Sequence, residues 1–410
     1  MDKKNKKINL VVIASHPIQY QCPLFKELAR EERINLKVYF CSNWGVKEYF
    51  DKGFGKSFNW DINLLEEFNY EFLKNYSIYP SPSRFFGLLN FGLINRLRKD
   101  NVDAVWIHGW NSLSNIIAMI TCFIRGIPVL LRAETNLLPK LPEIKKVIKK
   151  FFFSTLFKKI SAFLAIGKFN KEFYLDFKVP EEKIFLVPYC VNNDFFIKKS
   201  KELKSQKTVL KGKYNLPQDL PVILFCGKLI NVKRPQNLLK AFANLQKNIK
   251  ASLVFMGDGT LRENLKKTAE DLKLENVYFM GFKNQTEMPE LYTTADVFVL
   301  PSSFEPWGLV VNEAMCFGLP VIVSDAVGSS ADLVNNTNNG FIFKTGDIES
   351  LQKNIEHLLK NKGLIEKMGY NSQEIITRWS YKQCIEGIYS ALDFLQIATK
   401  AHPSKDYQYN

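Results

Sequence analysis

Residues 296–325 read DVFVLPSSFEPWGLVVNEAMCFGLPVIVSD. The stretch opens on a β-rich apolar run that ends at Leu300. A loop carrying Glu305, Pro306, Trp307 and Gly308 follows, then a short helix from about Leu309 to Phe317. Gly318 supplies the helix stop and Pro320 opens the next strand. The helix is apolar almost all round, so it is expected to be buried. It nevertheless contains Glu313, and burying a lone carboxylate is costly unless donors meet it. Ribose hydroxyls would be such donors. Backbone N–H groups at Gly308, Leu309 and Val310 start the helix and offer a phosphate site. Glu305, in the loop before it, is placed to accept hydrogen bonds from sugar hydroxyls.

The same strand–helix alternation extends outward in both directions. Apolar β-rich runs lie at 9–15, 36–41, 102–108, 127–132, 162–166 and 184–188, and again at 221–226, 252–257, 276–280, 296–300, 320–324 and 340–343. They are apolar on both faces, as parallel strands covered by helices must be. The fold class is therefore α/β, with two Rossmann-like, doubly wound domains facing across a cleft. The expected division is a first domain at 1–197, a polar linker at 198–218 and a second domain at 219–380. A helix at 381–396 packs back on the first domain in this reading, and 397–410 is a tail. Ligands of open parallel sheets sit beyond the carboxyl ends of the strands, which directs attention to the residues just after each run.

The bulk properties narrow the function. An apolar share of 46%, with 33 Phe and 16 Tyr in 410 residues, excludes a disordered chain. Seven scattered cysteines without a C-x-x-C pair argue against a disulfide framework or a zinc site and fit a reducing cytoplasm. Four histidines without H-E-x-x-H add no metal site. The start, MDKKNKKINLVVIASHP, reads as a first strand rather than a leader, because the apolar run is short and no cleavage site follows. The net charge of +15 concentrates at 140–171, with nine lysines against Glu143, interleaved with Phe151, Phe152, Phe153 and Phe157. Two readings stay open for that run: a solvated face, or a basic aromatic helix resting on an anionic membrane surface. No nucleic-acid motif accompanies the charge.

The 296–325 stretch resembles the Glu-x7-Glu signature of glycosyltransferase family 4, retaining enzymes of GT-B fold, with Glu305 and Glu313 at its two glutamates. A second element agrees with it. Gly227-Lys228-Leu229, then Lys233-Arg234-Pro235 opening a helix, resembles the family's G-[RK]-L-x3-K loop, whose basic residues hold the donor diphosphate. Arg234 stands where many relatives have Gly. Met256-Gly257-Asp258-Gly259 resembles the family's glycine turn, and Phe282 and Lys283 its base-contacting loop. The run Gly328-Ser329-Ser330-Ala331-Asp332 departs from the family's Gly-Gly-then-Glu pattern. In the first half, His108 aligns with the histidine that faces the transferred sugar, and Arg132-Ala133-Glu134 with a cleft-facing R-x-E segment. The opening Ser15-His16-Pro17-Ile18-Gln19-Tyr20-Gln21 replaces the usual Gly-Gly loop and resembles a subset with H-P-I-Q-Y-Q. His16 touches substrate or merely packs, and both readings stand.

The resemblance implies a retaining enzyme that moves a hexose-type sugar from a UDP- or GDP-sugar to a glycan or lipid-linked acceptor, in bacterial surface-polysaccharide synthesis. It needs no cofactor beyond the nucleotide-sugar donor. With no Asp-x-Asp motif, lysines and a helix N-terminus are expected to neutralise the diphosphate without a metal. The expected location is cytoplasmic, with a peripheral seat on the inner membrane face if the basic run binds lipid. A nucleotide-sugar 2-epimerase of the same fold and a non-catalytic nucleotide-sugar-binding partner are the alternatives.

Overall fold

The computed structural model describes residues 7–46, 49–51, 56–138 and 153–401, which form two units. Unit 1 comprises Met1–Trp44, Leu64–Pro188 and Tyr381–Asn410; unit 2 comprises Gly45–Asn63 and Tyr189–Ser380.

In chain order the first half contains β1 (Ile8–Ala14), α1 (Cys22–Arg30), β2 (Ile34–Phe40), the hairpin strands β3 (Tyr49–Asp51) and β4 (Lys56–Phe58), and β5 (Asn69–Phe72). Then come α2 (Gly92–Lys99), β6 (Ala104–His108), α3 (Leu113–Arg125), β7 (Val129–Arg132), β8 (Ala162–Ala165) and β9 (Ile184–Leu186). The sheet of unit 1 is parallel, in the order β5-β2-β1-β6-β7-β8-β9. Val12 pairs with Val38 on one side and Trp106 on the other, and all three are fully buried. Both faces are apolar because both are covered. Leu93 and Leu97 of α2 and Ala118, Met119 and Cys122 of α3 join Val11 and Ile13 in one core cluster. The final helix, Tyr381–Ala401, packs against α1, β8 and β9.

Unit 2 holds β10 (Val222–Cys226), β11 (Ser252–Met256), β12 (Val277–Gly281), β13 (Val297–Leu300), β14 (Val321–Ser324) and β15 (Gly340–Phe343). Its sheet is also parallel, in the order β12-β11-β10-β13-β14-β15. Two parallel, helix-covered sheets are the Rossmann-like pair expected of a GT-B fold.

Three expectations need correction. The lysine-rich 198–218 segment is not a linker: the helices Asn193–Leu203 and Lys207–Lys213 occupy most of it, and the unit boundary falls at Tyr189. Two of its lysines are tied to the body of unit 2, Lys207 to Asp296 at 2.8 Å and Lys211 to the carbonyl of Leu220 at 2.7 Å. Second, the aromatic side chains of the basic 140–171 run do not form a lipid face where they are described. Phe153 and Phe157 are 4% exposed and pack on Trp110, Phe173 and Phe177. The rest of that run up to residue 152 lies outside the described residues. Third, β5 and the hairpin were not anticipated. Both are short, and Tyr70 and Phe72 of the edge strand β5 are exposed, so no apolar run marks them.

Candidate active site

All six strands of unit 2 run the same way, so their carboxyl ends share one edge, and the loops after them assemble there. The tips of β10, β11 and β12 are laced together: the N–H of Gly227 donates to the carbonyl of Met256 at 3.0 Å, and that of Gly257 to Gly281 at 2.8 Å. Gly257 has φ +146°, and a Cβ there would stand 1.9 Å from the oxygen of Gly227. Only glycine allows this approach, which leaves backbone rather than side chain at the strand tip.

The loop after β10 folds under the loop after β13, where the N–H of Ser303 donates to Val232 at 2.7 Å. That contact brings Lys233 to Glu305. Their side chains, 19% and 13% exposed, form an ion pair between Nζ and Oε2. Burial, and then the like charge of Lys228, draw the Lys233 ammonium down to about 8. The backbone of Glu305 is fixed on both sides: its N–H donates to Ala326 at 3.0 Å and its carbonyl accepts from Gly328 at 2.9 Å.

Gly308 follows at φ +95°, a left-handed turn that starts the helix Leu309–Cys316 and leaves the N–H groups of its first turn at the same edge. Within that helix Glu313 is 6% exposed. Among the described residues its carboxylate accepts from the Tyr292 hydroxyl at 2.7 Å. Burial pushes the Glu313 carboxyl up to about 7, and the tyrosine offsets only part of this. Trp307 anchors the other side of the turn, its Nε1 donating to Asn312 at 2.9 Å while Asn312 donates to the carbonyl of Tyr189 at 3.1 Å. A second buried polar group lies in the neighbouring loop: the Ser329 hydroxyl has no partner among the described residues.

Lys283 is turned along its own loop, 3.1 Å from Glu287 and above the ring of Tyr214, beside Phe282. The loop itself is held by a segment that the sequence did not flag. Asn284 donates to the carbonyl of Asn59 at 2.8 Å, and the Thr286 N–H donates to Asp61 at 3.1 Å.

Arg234 caps the helix Pro235–Leu245 at φ +49°, ψ +43°, a left-handed conformation that favours glycine. A side chain there carries a backbone penalty that a purely structural residue would not need. Arg234→Gly should stabilise the ligand-free protein by about 1 kcal/mol while weakening nucleoside diphosphate binding. Melting and titration calorimetry read the two effects separately. Stabilisation without any loss of affinity would leave the guanidinium no part in ligand binding.

Unit 1 brings its candidates to the carboxyl edge of its own sheet. The His108 ring stacks on Trp106 at 4.8 Å, with Nδ1 3.4 Å from Gln21 and Nε2 buried without a partner among the described residues. Burial, and then the charge of Arg132, pull it down to about 3, so it is neutral at pH 7. His16 bonds Ser15 at 2.9 Å, and burial lowers it to about 4. Arg132 is 4% exposed and donates to the carbonyls of Val187 and Pro188, both at 3.2 Å, which braces the end of the sheet. Glu134 is exposed in the following loop. The partner of Glu313 was not anticipated, because a tyrosine in a short helix, Met288–Thr294, carries no motif. Among the described residues no cluster of three or more His, Cys, Asp or Glu side chains could hold a metal ion.

Known proteins resemble part of this sequence and its fold. Residues 206–375, all within unit 2, match the family described as "Glycosyl transferases group 1". The chain is 30% identical over 200 residues, 48% of its length, to an uncharacterized glycosyltransferase of Methanocaldococcus jannaschii, and covers 50% of that protein. It is 29% identical over 182 residues, 44% of its length, to N-acetyl-alpha-D-glucosaminyl L-malate synthase of Bacillus anthracis, and covers 47% of it. The chain thus spans about half the length of the curated relatives it matches. A glycosyltransferase from Rickettsia africae superposes with a TM-score of 0.73 at 16% identity, over 95% of this chain and 99% of its own. Anabaena HepE, solved in complex with UDP, does so with 0.69 at 19%, over 94% and 99%. Residues 206–375 thus resemble the group 1 glycosyl transferases, and the two-sheet fold is that of the solved GT-B glycosyltransferases.

Proposed function

We propose that the chain is a retaining glycosyltransferase that transfers a hexose-type sugar from a UDP- or GDP-sugar to a glycan or lipid-linked acceptor. The observation that carries this reading is the pairing of Lys233 with Glu305 at the strand edge where the Glu313 helix begins. Each group has a distinct task. Glu313, poor in protein donors, accepts from the ribose hydroxyls. The N–H groups at Gly308, Leu309 and Val310, with Lys228 and Lys233, neutralise the diphosphate as its charge grows. Glu305 holds the transferred sugar. The bond from the anomeric carbon to the diphosphate oxygen breaks, the acceptor oxygen bonds to that carbon on the same face, and the leaving phosphate oxygen takes the acceptor's proton. HepE, solved with UDP-glucose as well as UDP, favours a uridine donor. Similarity to the lipopolysaccharide core enzyme LpsE of Rhizobium meliloti favours a bacterial surface glycan as the pathway.

The test is incubation with UDP- and GDP-sugars, with and without lipid-linked acceptors, following nucleoside diphosphate release and the anomer formed. Transfer with retention is expected, and it should persist in excess EDTA because lysines and backbone carry the neutralisation. An inverted product overturns retention. Loss in EDTA with recovery on adding magnesium or manganese overturns the metal-free site. Epimerisation of the donor without transfer overturns the reading as a whole.

A further inference from the structure

Unit 1 displays an apolar surface in a setting of one-signed charge. Between Leu73 and Lys99, and again between Trp110 and Ala133, the sequence contains no Asp or Glu; it contains Lys74, Arg84, Arg96, Arg98, Lys99, Arg125 and Arg132. Of these, Arg96 is paired with Glu71 and Arg132 is buried, whereas Lys74, Arg84, Arg98, Lys99 and Arg125 are exposed. Large apolar side chains stand out from the same two segments. Ile78 is 86% exposed, Tyr79 72%, Phe86 71% and Ile124 79%, with Tyr76, Phe85, Phe91 and Ile120 also exposed.

The protein holds these groups out on a braced scaffold. The Asn75 side chain closes the 75–89 loop, donating to Gly87 at 2.9 Å and accepting from Ser77 at 3.1 Å and Leu89 at 2.9 Å. Asn90, fully buried, donates to the carbonyls of Cys41, Leu73 and Lys74 and accepts from Ser114 at 2.8 Å, fastening the loop to the start of α3. The short turn Phe85–Gly87 and α2 both pack on α3, so loop, α2 and α3 form one side of the unit. Fixing exposed apolar groups this firmly gives the free protein nothing, because they are left in water.

We infer that this side of unit 1, the 76–91 loop with the outer faces of α2 and α3, docks on an anionic lipid surface. Tyrosine and phenylalanine rings, isoleucine side chains and a predominantly basic rim are the composition that a negatively charged bilayer interface selects. A second copy of the chain is a poorer occupant, since each carries a net charge of +15 and would bring like charge to like. The inference is independent of the sugar-transfer reading.

The full chain is sedimented with vesicles of phosphatidylcholine alone or mixed with phosphatidylglycerol, at low and high salt. Binding to the anionic vesicles is expected to weaken between about 0.1 M and about 1 M salt, as the screening length falls from about 10 Å to about 3 Å. The Ile78→Ser/Phe86→Ser double variant is expected to lower the partition coefficient about ten- to a hundredfold. Its melting temperature and donor hydrolysis should not change. Ile78→Ser alone, at a site 86% exposed, repeats the test if the double variant proves unstable. Wild-type binding by the variants overturns the inference. So does equal binding to neutral and anionic vesicles, or no binding at low salt. A solution dimer that the same substitutions dissociate overturns it in favour of self-association.

Discussion

Glu313→Gln should yield a protein that melts higher at neutral pH and holds its nucleotide less tightly. The Glu313 carboxyl is buried and shifted from 4.5 to about 7. A raised acid constant means that the folded state holds the proton more firmly than the unfolded chain does. Stability is therefore greatest below about 4.5, declines as pH climbs from there to about 7, and stays reduced above. The full decline corresponds to about 3 kcal/mol. Glutamine keeps the shape, can still accept from Tyr292 and removes the charge. The variant should lose this pH dependence and gain stability at pH 8. The proposed ribose contact would be made about equally in ground and transition states, so donor KM should rise more than kcat falls. Nucleoside diphosphate binding to the wild type should also weaken as pH drops below 7, where the carboxyl takes up a proton. Melting curves from pH 5 to pH 8 on both proteins decide the matter. Parallel curves, or a variant less stable at pH 8, would show the carboxylate to be a structural acceptor satisfied by the fold.

Lys233→Met should cost more activity than any other single change at the strand edge. The ammonium is largely buried, carries the Glu305 ion pair and lies close enough to Lys228 to feel its charge. In the proposed reaction it faces a diphosphate whose charge increases as the sugar leaves, so its loss falls on the transition state. Removing one such donor typically lowers kcat by about 10²–10³. Methionine keeps the length and apolar stem, which limits the effect on folding. Glu305→Gln should lower kcat by about 10- to 150-fold, the range for a hydrogen bond to a charged group. Each single change strands a partner in a poorly solvated place, so the double variant should lose less than the product of the two. Strict multiplication of the effects would mean that the two side chains act on separate parts of the donor, with no functional coupling. Wild-type turnover in Lys233→Met would remove the cation from the reaction altogether.

Much of unit 2 was legible because its signals are local. The run at 340–343 is β15 as observed, and 222–226 differs from its sequence estimate by one residue, since buried parallel strands are written as unbroken apolar stretches. The loop and helix from Glu305 to Glu313 were readable from a carboxylate placed where burial needs a reason. What escaped depends on distant neighbours. Nothing near Tyr292 announces its bond to Glu313, 21 positions away. The 198–218 segment reads as a linker by composition, yet its lysines find Asp296 and the carbonyl of Leu220. No motif marks Asn59 or Asp61, and their bonds to residues 284 and 286 exist only in the fold. In the 140–171 run, alternating lysine and phenylalanine fits a lipid-facing helix and a core-facing one equally, and Phe153 and Phe157 resolve inward.

The backbone passes from one unit to the other four times, after Trp44, Asn63, Pro188 and Ser380. Neither unit is therefore a contiguous piece of the gene product. A fragment ending near residue 197 would carry every strand of the first sheet but lack the helix Tyr381–Ala401 that covers β8 and β9. A fragment starting near residue 198 would lack both the 45–63 excursion and the Tyr189 carbonyl that receives Asn312. Along the chain the helix that covers β8 and β9 follows the whole second sheet, so during synthesis the first sheet waits for its cover until the second sheet has emerged.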